Sequence, residues 1–397
     1  MLGNTKNLPV NWIDGMKISR RHFTELENFV HDSVRDANAS RLASYAYGIL
    51  PAERALDLSI QCDFNQQVVV QLRNCQAVTP NGCRVDVQNS DSLRVQTSLK
   101  DLAETYKLNA TASQSFEIIL TVTPFARVPV GEPTPGETPP RHPYTLPEYR
   151  LDVVPTEFVN VAELSSHLLV GRITYANGEL RPATDYIPAC AVLISLPALQ
   201  DWHGRLGNVL NDMETNAYRI MQKVRAKGQK STLNDSINFL CERLVARLNE
   251  GGFAYQWVLP QQAPIFWIDY LMGPAHTLSS VVNCLSDREK EELIGYLSEW
   301  ADLTPGAFEG SIAALGRATY QHTELARLIQ DLDTFYKMLS TVLSKLSQLE
   351  FVGKRKGQNV FIIEHQVQDS PATASPAAPP PQQPPAEKPK TRWSPLG

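Results

Sequence analysis

The chain reads as an α+β multidomain protein: an antiparallel β-sandwich, then an elongated helical bundle neck, then a disordered Pro-rich tail. Three observations predict this. Apolar residues recur with period two from 56 to 196, and at spacings of three and four from Leu199 to about 350, while residues 371–397 carry nine prolines. The first pattern suits half-buried strands, the second suits amphipathic helices, and the third cannot bury enough surface to fold.

An arm of residues 1–21 opens the chain. In "NWIDGMKISRRHF" (11–23), Trp12 and Met16 offer large apolar surface ahead of the core, and Gly15 suits a backbone with positive φ. Ser19 is placed as an N-cap. Phe23, Leu26, Val30 and Ala37 follow at spacings of three, four and seven, which predicts a helix over about 22–46. His22, beside Phe23 at the helix start, reads as a packing or capping residue. An arm with apolar anchors outside the core needs something to bury them against, so it reads as a docking element.

The helix and sandwich together occupy 22–197. Leu56, Leu58 and Ile60 alternate with polar residues, followed by "VVVQLR" (68–73), "CRVDV" (83–87), "FEIILTV" (116–122), "RLDVV" (150–154) and "HLLVGRITY" (167–175). Pro80-Asn81-Gly82 and Asn177-Gly178 mark turns between them. Strands do not alternate with helices, which argues against a Rossmann-type sheet. The stretch 127–147 has seven prolines in twenty-one residues. It reads as a long exposed loop, because proline lacks the donor that a central strand needs.

Residues 198–350 form the predicted helical bundle. Leu206, Leu210, Met213, Ala217, Ile220 and Val224 step by four and three. Leu325, Leu328, Leu332, Phe335, Leu339, Val342, Leu346 and Leu349 form a second ladder over more than three heptads. Such a seam is completed either within one chain or between chains. Between the ladders lie an amphipathic stretch at 233–248, a broken apolar segment at 264–285, and a helix at 287–303 closed by Thr304-Pro305-Gly306.

A short segment (351–370), with "NVFIIEHQV" (359–367) as a possible strand, leads to the tail (371–397). Pro381 and Pro384 favour extended polyproline II, and Trp393 gives the tail an aromatic that a plain linker does not need. The tail is expected to dock weakly on a partner.

Chemistry is sparse. The phosphate-loop, dinucleotide, HExxH and GxSxG patterns do not occur, and no two of the eight histidines lie within four residues of each other. Paired carboxylates such as Asp331/Asp333 and Glu291/Glu292 fall on polar helix faces. The six cysteines are scattered, as expected for buried, reduced thiols in a cytoplasmic protein. The net charge of -5 argues against general nucleic-acid binding, and no apolar run is long enough to span a bilayer. No secretory signal is expected. We expect no enzyme activity, cofactor or metal.

Four segments resemble the TssK family, trimeric baseplate adaptors of bacterial type VI secretion systems. Trp12, Gly15, Met16, His22 and Phe23 match the family's W-x-x-G-M segment followed after five residues by H-F. "YAYGIL" (45–50) resembles its aromatic-Gly-Leu step. "LRNCQAVTPNGCRVDV" (72–87) resembles its strand pair, with Asn81 where Asp is usual. Tyr186-Ile187-Pro188 resembles its Y-I-P-P step, with Ala189 in place of the second proline. The resemblance covers roughly 8–350. It implies a phage receptor-binding-protein-like shoulder, a helical neck, ladders that make trimer contacts, and an arm that docks on wedge proteins of the TssF/TssG kind. It also implies a C-terminal head that meets the membrane complex. This chain departs there: no head is expected after Glu350, and the tail takes over that contact. Two other readings stay open: a phage-like receptor- or carbohydrate-binding fibre protein, with loop 127–147 at the ligand, and a hydrolase with a non-local site.

Overall fold

The computed structural model describes residues 6–108, 112–160, 165–227 and 231–355. Helix α1 (Arg20–Ala39) comes first and is N-capped by Ser19. It is shorter than the spacing predicts, because "YAYGIL" leaves the helix and Gly48–Ile49 becomes strand β1. There follow β2 (Leu56–Cys62), β3 (Gln67–Val78), β4 (Arg84–Val87), β5 (Arg94–Ser98), the short helix α2 (Leu99–Tyr106), β6 (Gln114–Val130), β7 (Tyr144–Pro155), β8 (His167–Ala176) and β9 (Glu179–Pro182). All strand pairs between these elements are antiparallel.

The long strand β3 organises the first sheet. One of its edges pairs with β2 and then β1; the other pairs with β5 and then β4. The second sheet runs β7-β6-β8-β9, its last hairpin turning at Asn177-Gly178, both with positive φ. The sheets pack face to face. A Cβ on Gly171 of β8 would lie 2.8 Å from Leu58 and 3.3 Å from Ile60, both on β2. The antiparallel sandwich expected from period-two alternation is the one observed.

The proline-rich stretch differs from expectation. Arg127–Val130 of β6 pairs with Tyr144–Pro147 of β7, so the connecting loop shrinks to 131–143. β8 reaches along β6 only as far as Thr121, so this extension is a two-stranded ribbon without a third strand. Prolines are tolerated at such edges because no neighbouring strand calls on their missing N–H.

Helices then take over: α3 (Pro197–Lys227), α4 (Thr232–Glu250), α5 (Gly252–Trp257), α6 (Pro264–Cys284), α7 (Asp287–Ala301), α8 (Pro305–Gly316) and α9 (Leu325–Gln348). The segment expected to be broken at 264–285 is the single helix α6, with Pro274 inside it. Tyr336 donates at 2.7 Å to the Leu271 carbonyl, one turn before that proline. Thr304-Pro305 ends α7 as expected but also starts α8, where the Thr304 hydroxyl accepts from the Ala307 N–H.

Both ladders are covered within one chain. Leu206, Leu210, Met213 and Ile220 on α3 are buried in one chain, and Val224 is half-buried. Leu325, Leu328, Leu332, Phe335, Leu339, Val342 and Leu346 on α9 are buried too. α3 and α9 pack against each other, and Lys223 locks their ends by donating to the Ser347 and Leu349 carbonyls at 2.6 Å each. A stripe covered by its own chain offers a second copy nothing to bury. These residues form a seam within the bundle.

Candidate docking surface

Helix α1 is the anomaly of the fold. Asp32 is its one fully buried residue. Its inner face is seated by polar contacts: the Asp32 carboxylate accepts from the Lys6 N–H at 2.6 Å, the Asn7 N–H at 2.9 Å and Arg35 Nε at 2.8 Å. Burial alone would raise this carboxyl's pKa. The Asn7, Arg35 and Lys6 donors outweigh that and hold it below its ordinary value. Arg35 Nη1 also donates to the Asn81 carbonyl at 3.3 Å, and Asn38 Nδ2 to the Gly82 carbonyl at 3.4 Å. Arg127, at the root of the proline-rich ribbon, reaches Glu27 and donates to Asn28 Oδ1.

The Pro80-Asn81-Gly82 turn is therefore a seat as well as a turn. Gly82 has φ +86°, and a Cβ there would stand 2.3 Å from the Arg35 carbonyl oxygen and 2.6 Å from the Ala39 nitrogen. Asn81 Nδ2 ties the same turn to Ser166 Oγ at 2.8 Å.

The outer face of α1 is apolar and open. Phe23, Val30 and Val34 are 55%, 50% and 56% exposed. The arm is open as well: Trp12 is 45% exposed, and Ile13 and Ile18 are exposed too. The Trp12 ring lies edge-on to His22, with centroids 6.0 Å apart, and 6.5 Å from Phe23. Gly15 has φ +81° within the turn in which Met16 N–H donates to the Ile13 carbonyl. The side chain of His22 takes the Ser19 N–H on Nδ1 at 3.2 Å, so this histidine works as a cap. The structure thus gathers Trp12, His22 and Phe23 into one cluster, with Gly15 and half-buried Met16 in the turn that leads to it. Sequence spacing pointed to these residues. It did not point to Arg127 or to the turn at 80–82 as the parts that hold α1.

Titratable groups gather elsewhere as paired charges: Arg172 bridges Glu117 and Glu324 beside Tyr186. Among the described residues, no group of three or more His, Cys, Asp or Glu side chains could hold a metal ion. Burial pushes the Cys75, Cys190 and Cys241 thiols up to about 12, which suits inert core positions. A cleft of about 600 Å³ lies beside α2 and β7, lined by Tyr106, Phe158, Arg150, Asp152 and His167. Its polar groups are already paired, Arg150 with Asp152 at 2.8 Å and His167 with Thr121 at 2.8 Å. Among the described residues no helix is long and apolar enough to cross a membrane. Pro381, Pro384 and Trp393 of the tail, and the possible strand at 359–367, lie outside the described residues.

No family model matches this chain, and no curated protein sequence matches it. Among solved structures, the chain aligns with a crystal structure of TssK at 15% identity, covering 85% of this chain and 70% of that one, with a TM-score of 0.49. It aligns with TssK from the T6SS of EAEC bound to a nanobody at 15% identity and a TM-score of 0.47, over 81% and 68% of the two chains. A third is a chain of the type VI secretion TssK-TssF-TssG baseplate subcomplex, at 15% identity and a TM-score of 0.45, over 87% and 100%.

Proposed function

We propose that this chain is a non-enzymatic docking subunit of a contractile, type VI-like secretion baseplate, with the arm and α1 as its contact to wedge proteins of the TssF/TssG kind. One observation carries the reading. The residues that resemble the family motif, Trp12, His22 and Phe23, come together as an aromatic cluster left open to solvent on a firmly seated helix. A core motif would be buried, and a catalytic one would bring titratable groups together. An exposed aromatic anchor on a rigid support is the arrangement that protein interfaces use as a hot spot.

In the fuller reading the chain acts as a cytoplasmic homotrimer that links the wedge to the membrane complex of the machine. The tail around Pro381, Pro384 and Trp393 provides the membrane-side contact, and three tails raise the local concentration of a weak motif. The test is co-purification. Trp12→Ala with Phe23→Ala should lose the wedge proteins while the fold stays intact; normal co-purification would leave the arm without a docking role. Deleting 368–397 should abolish capture of the membrane-complex proteins, and unchanged capture would end the tail's part.

A further inference from the structure

The geometry points to the groove between α4 and α6 as a second docking site, one that takes a carboxylate-bearing segment of a partner protein. The site is separate from the arm and α1 and does not rest on the wedge reading. α4 and α6 run antiparallel here: Tyr270 donates to the Leu248 carbonyl at 3.2 Å, while Gly273, further along α6, lies against Arg247. A cleft of about 510 Å³ lies between the two helices. Arg243 and Arg247 line it from successive turns of α4. Each guanidinium is backed by a ring, Arg243 by Phe239 at 5.3 Å and Arg247 by Tyr270 at 5.1 Å. Gly273 makes room for the second of them. A Cβ there would stand 2.3 Å from Arg247 Nε and 2.5 Å from Nη2, so the half-buried guanidinium occupies the space that a side chain at 273 would need.

Among the described residues, neither guanidinium makes an ion pair or a hydrogen bond. The neighbouring carboxylate of Glu242 is taken by Arg225 at 3.1 Å. Two arginines held in place by rings and backbone, with their donors unspent, suit a carboxylate, whose two oxygens match the guanidinium fork. His276 and Ser280 line the opposite wall. The ends of the groove select the occupant. Phe239 and Val281 make one end apolar, and Glu250 and Asp269 make the other acidic. Nucleic acid or an anionic membrane would bring phosphates against those two carboxylates as well as against the arginines. A protein segment answers each part in turn: an apolar side chain, then carboxylates at Arg243 and Arg247, then a cation at the acidic end. Charge complementarity therefore favours an acidic stretch of a partner protein, flanked by an apolar residue on one side and a basic one on the other.

The experiment is retention of the labelled full chain on an array of short synthetic peptides that permute Leu, Glu, Lys and Ser. The wild type should favour peptides with two glutamates beside a leucine. Replacing Glu by Gln in those peptides should weaken binding at least about tenfold, as loss of charge-assisted bonds does. Arg243→Gln with Arg247→Gln should lose the same peptides yet melt close to the wild type, since neither guanidinium is bonded within the chain. Gly273→Ala gives a second readout. It displaces the end of a flexible side chain and leaves both charges in place, so retention should fall while the fold persists. Retention of peptides without carboxylates, equal retention by the variants, or no retention by the wild type would each overturn the site. A light-scattering mass that falls in the double arginine variant would make the groove a contact between copies, and the inference would fail. Trp12→Ala with Phe23→Ala should keep the peptides; their loss there would put them on the arm instead.

Discussion

A Cβ placed on Gly82 would stand 2.3 Å from the carbonyl oxygen of Arg35, so the β3–β4 turn and α1 meet at backbone distance. Gly82→Ala must then move α1 or the turn, and it also puts a side chain at φ +86°, a conformation that costs about 1–2 kcal/mol by itself. The variant should lose about 2 kcal/mol or more in urea unfolding. Hydrogen exchange should become faster in α1 while the α3–α9 seam stays protected. Uniform loss of protection across both would mean that the turn supports the whole sandwich and not α1 in particular.

Asp32 and Glu117 should push acid stability in opposite directions. The Asp32 carboxyl lies below its ordinary 3.8 when folded, so its contribution is present above that value and is lost as pH falls through the folded one. Glu117 is the reverse. Burial raises it above 4.5 despite Arg172 at 2.7 Å, so the folded state favours its proton, and the stability this gives is lost as pH rises through the raised value. Asp32→Asn should flatten the stability profile below about pH 4. Glu117→Gln should flatten it just above 4.5. Titrated urea midpoints separate the two windows, and identical profiles for the two variants would refute the opposed signs.

The ladders and α1 also show what a sequence can and cannot reveal. Leu332 and Val30 both sit on three-and-four-spaced stripes, and both were legible as one face of a helix. Spacing identifies a face but not what covers it. Leu332 is covered by its own chain while Val30 faces solvent, and that difference is decided by tertiary contacts distant in sequence. β2, β3, β4, β6, β7 and β8 were legible from alternation, whereas the short β1, β5 and β9 were not. Arg127–Val130 was not, because its prolines mask a ribbon whose outer edge is free. The cap formed by His22 was legible from Ser19 three residues earlier. The seat formed by Gly82 was not, since it depends on a turn more than forty residues downstream.

Leu332→Ala tests the inward assignment of the α9 ladder. Removing this fully buried side chain should cost about 2–5 kcal/mol, with no change in oligomer mass at a temperature where the variant is folded. A fall in mass without a loss of stability would return the ladder to an interface between copies.

Lys223→Met keeps the aliphatic stem but withdraws the ammonium from the Ser347 and Leu349 carbonyls at the end of α9. These carbonyls have no further helical turn to bond to, and charge-assisted bonds of this kind are worth about 1–3 kcal/mol each once the unpaired acceptor is counted. The variant should unfold at lower urea and lose hydrogen-exchange protection first near 340–348. Unchanged protection there would mean that water replaces the ammonium at no cost.

Trp12→Ala with Phe23→Ala should separate binding from folding. Both rings are about half exposed, and their mutual contact at 6.5 Å spans only the arm and the first turn of α1. Surface changes of this sort shift stability by about 0.5 kcal/mol. An aromatic anchor at an interface costs 2 kcal/mol or more on truncation, a drop of at least about thirtyfold in affinity. The double variant should therefore melt with the wild type yet lose its wedge partners. A large fall in melting temperature would show that the cluster holds the arm onto the protein, and the lost binding would then be a consequence of an unmoored arm.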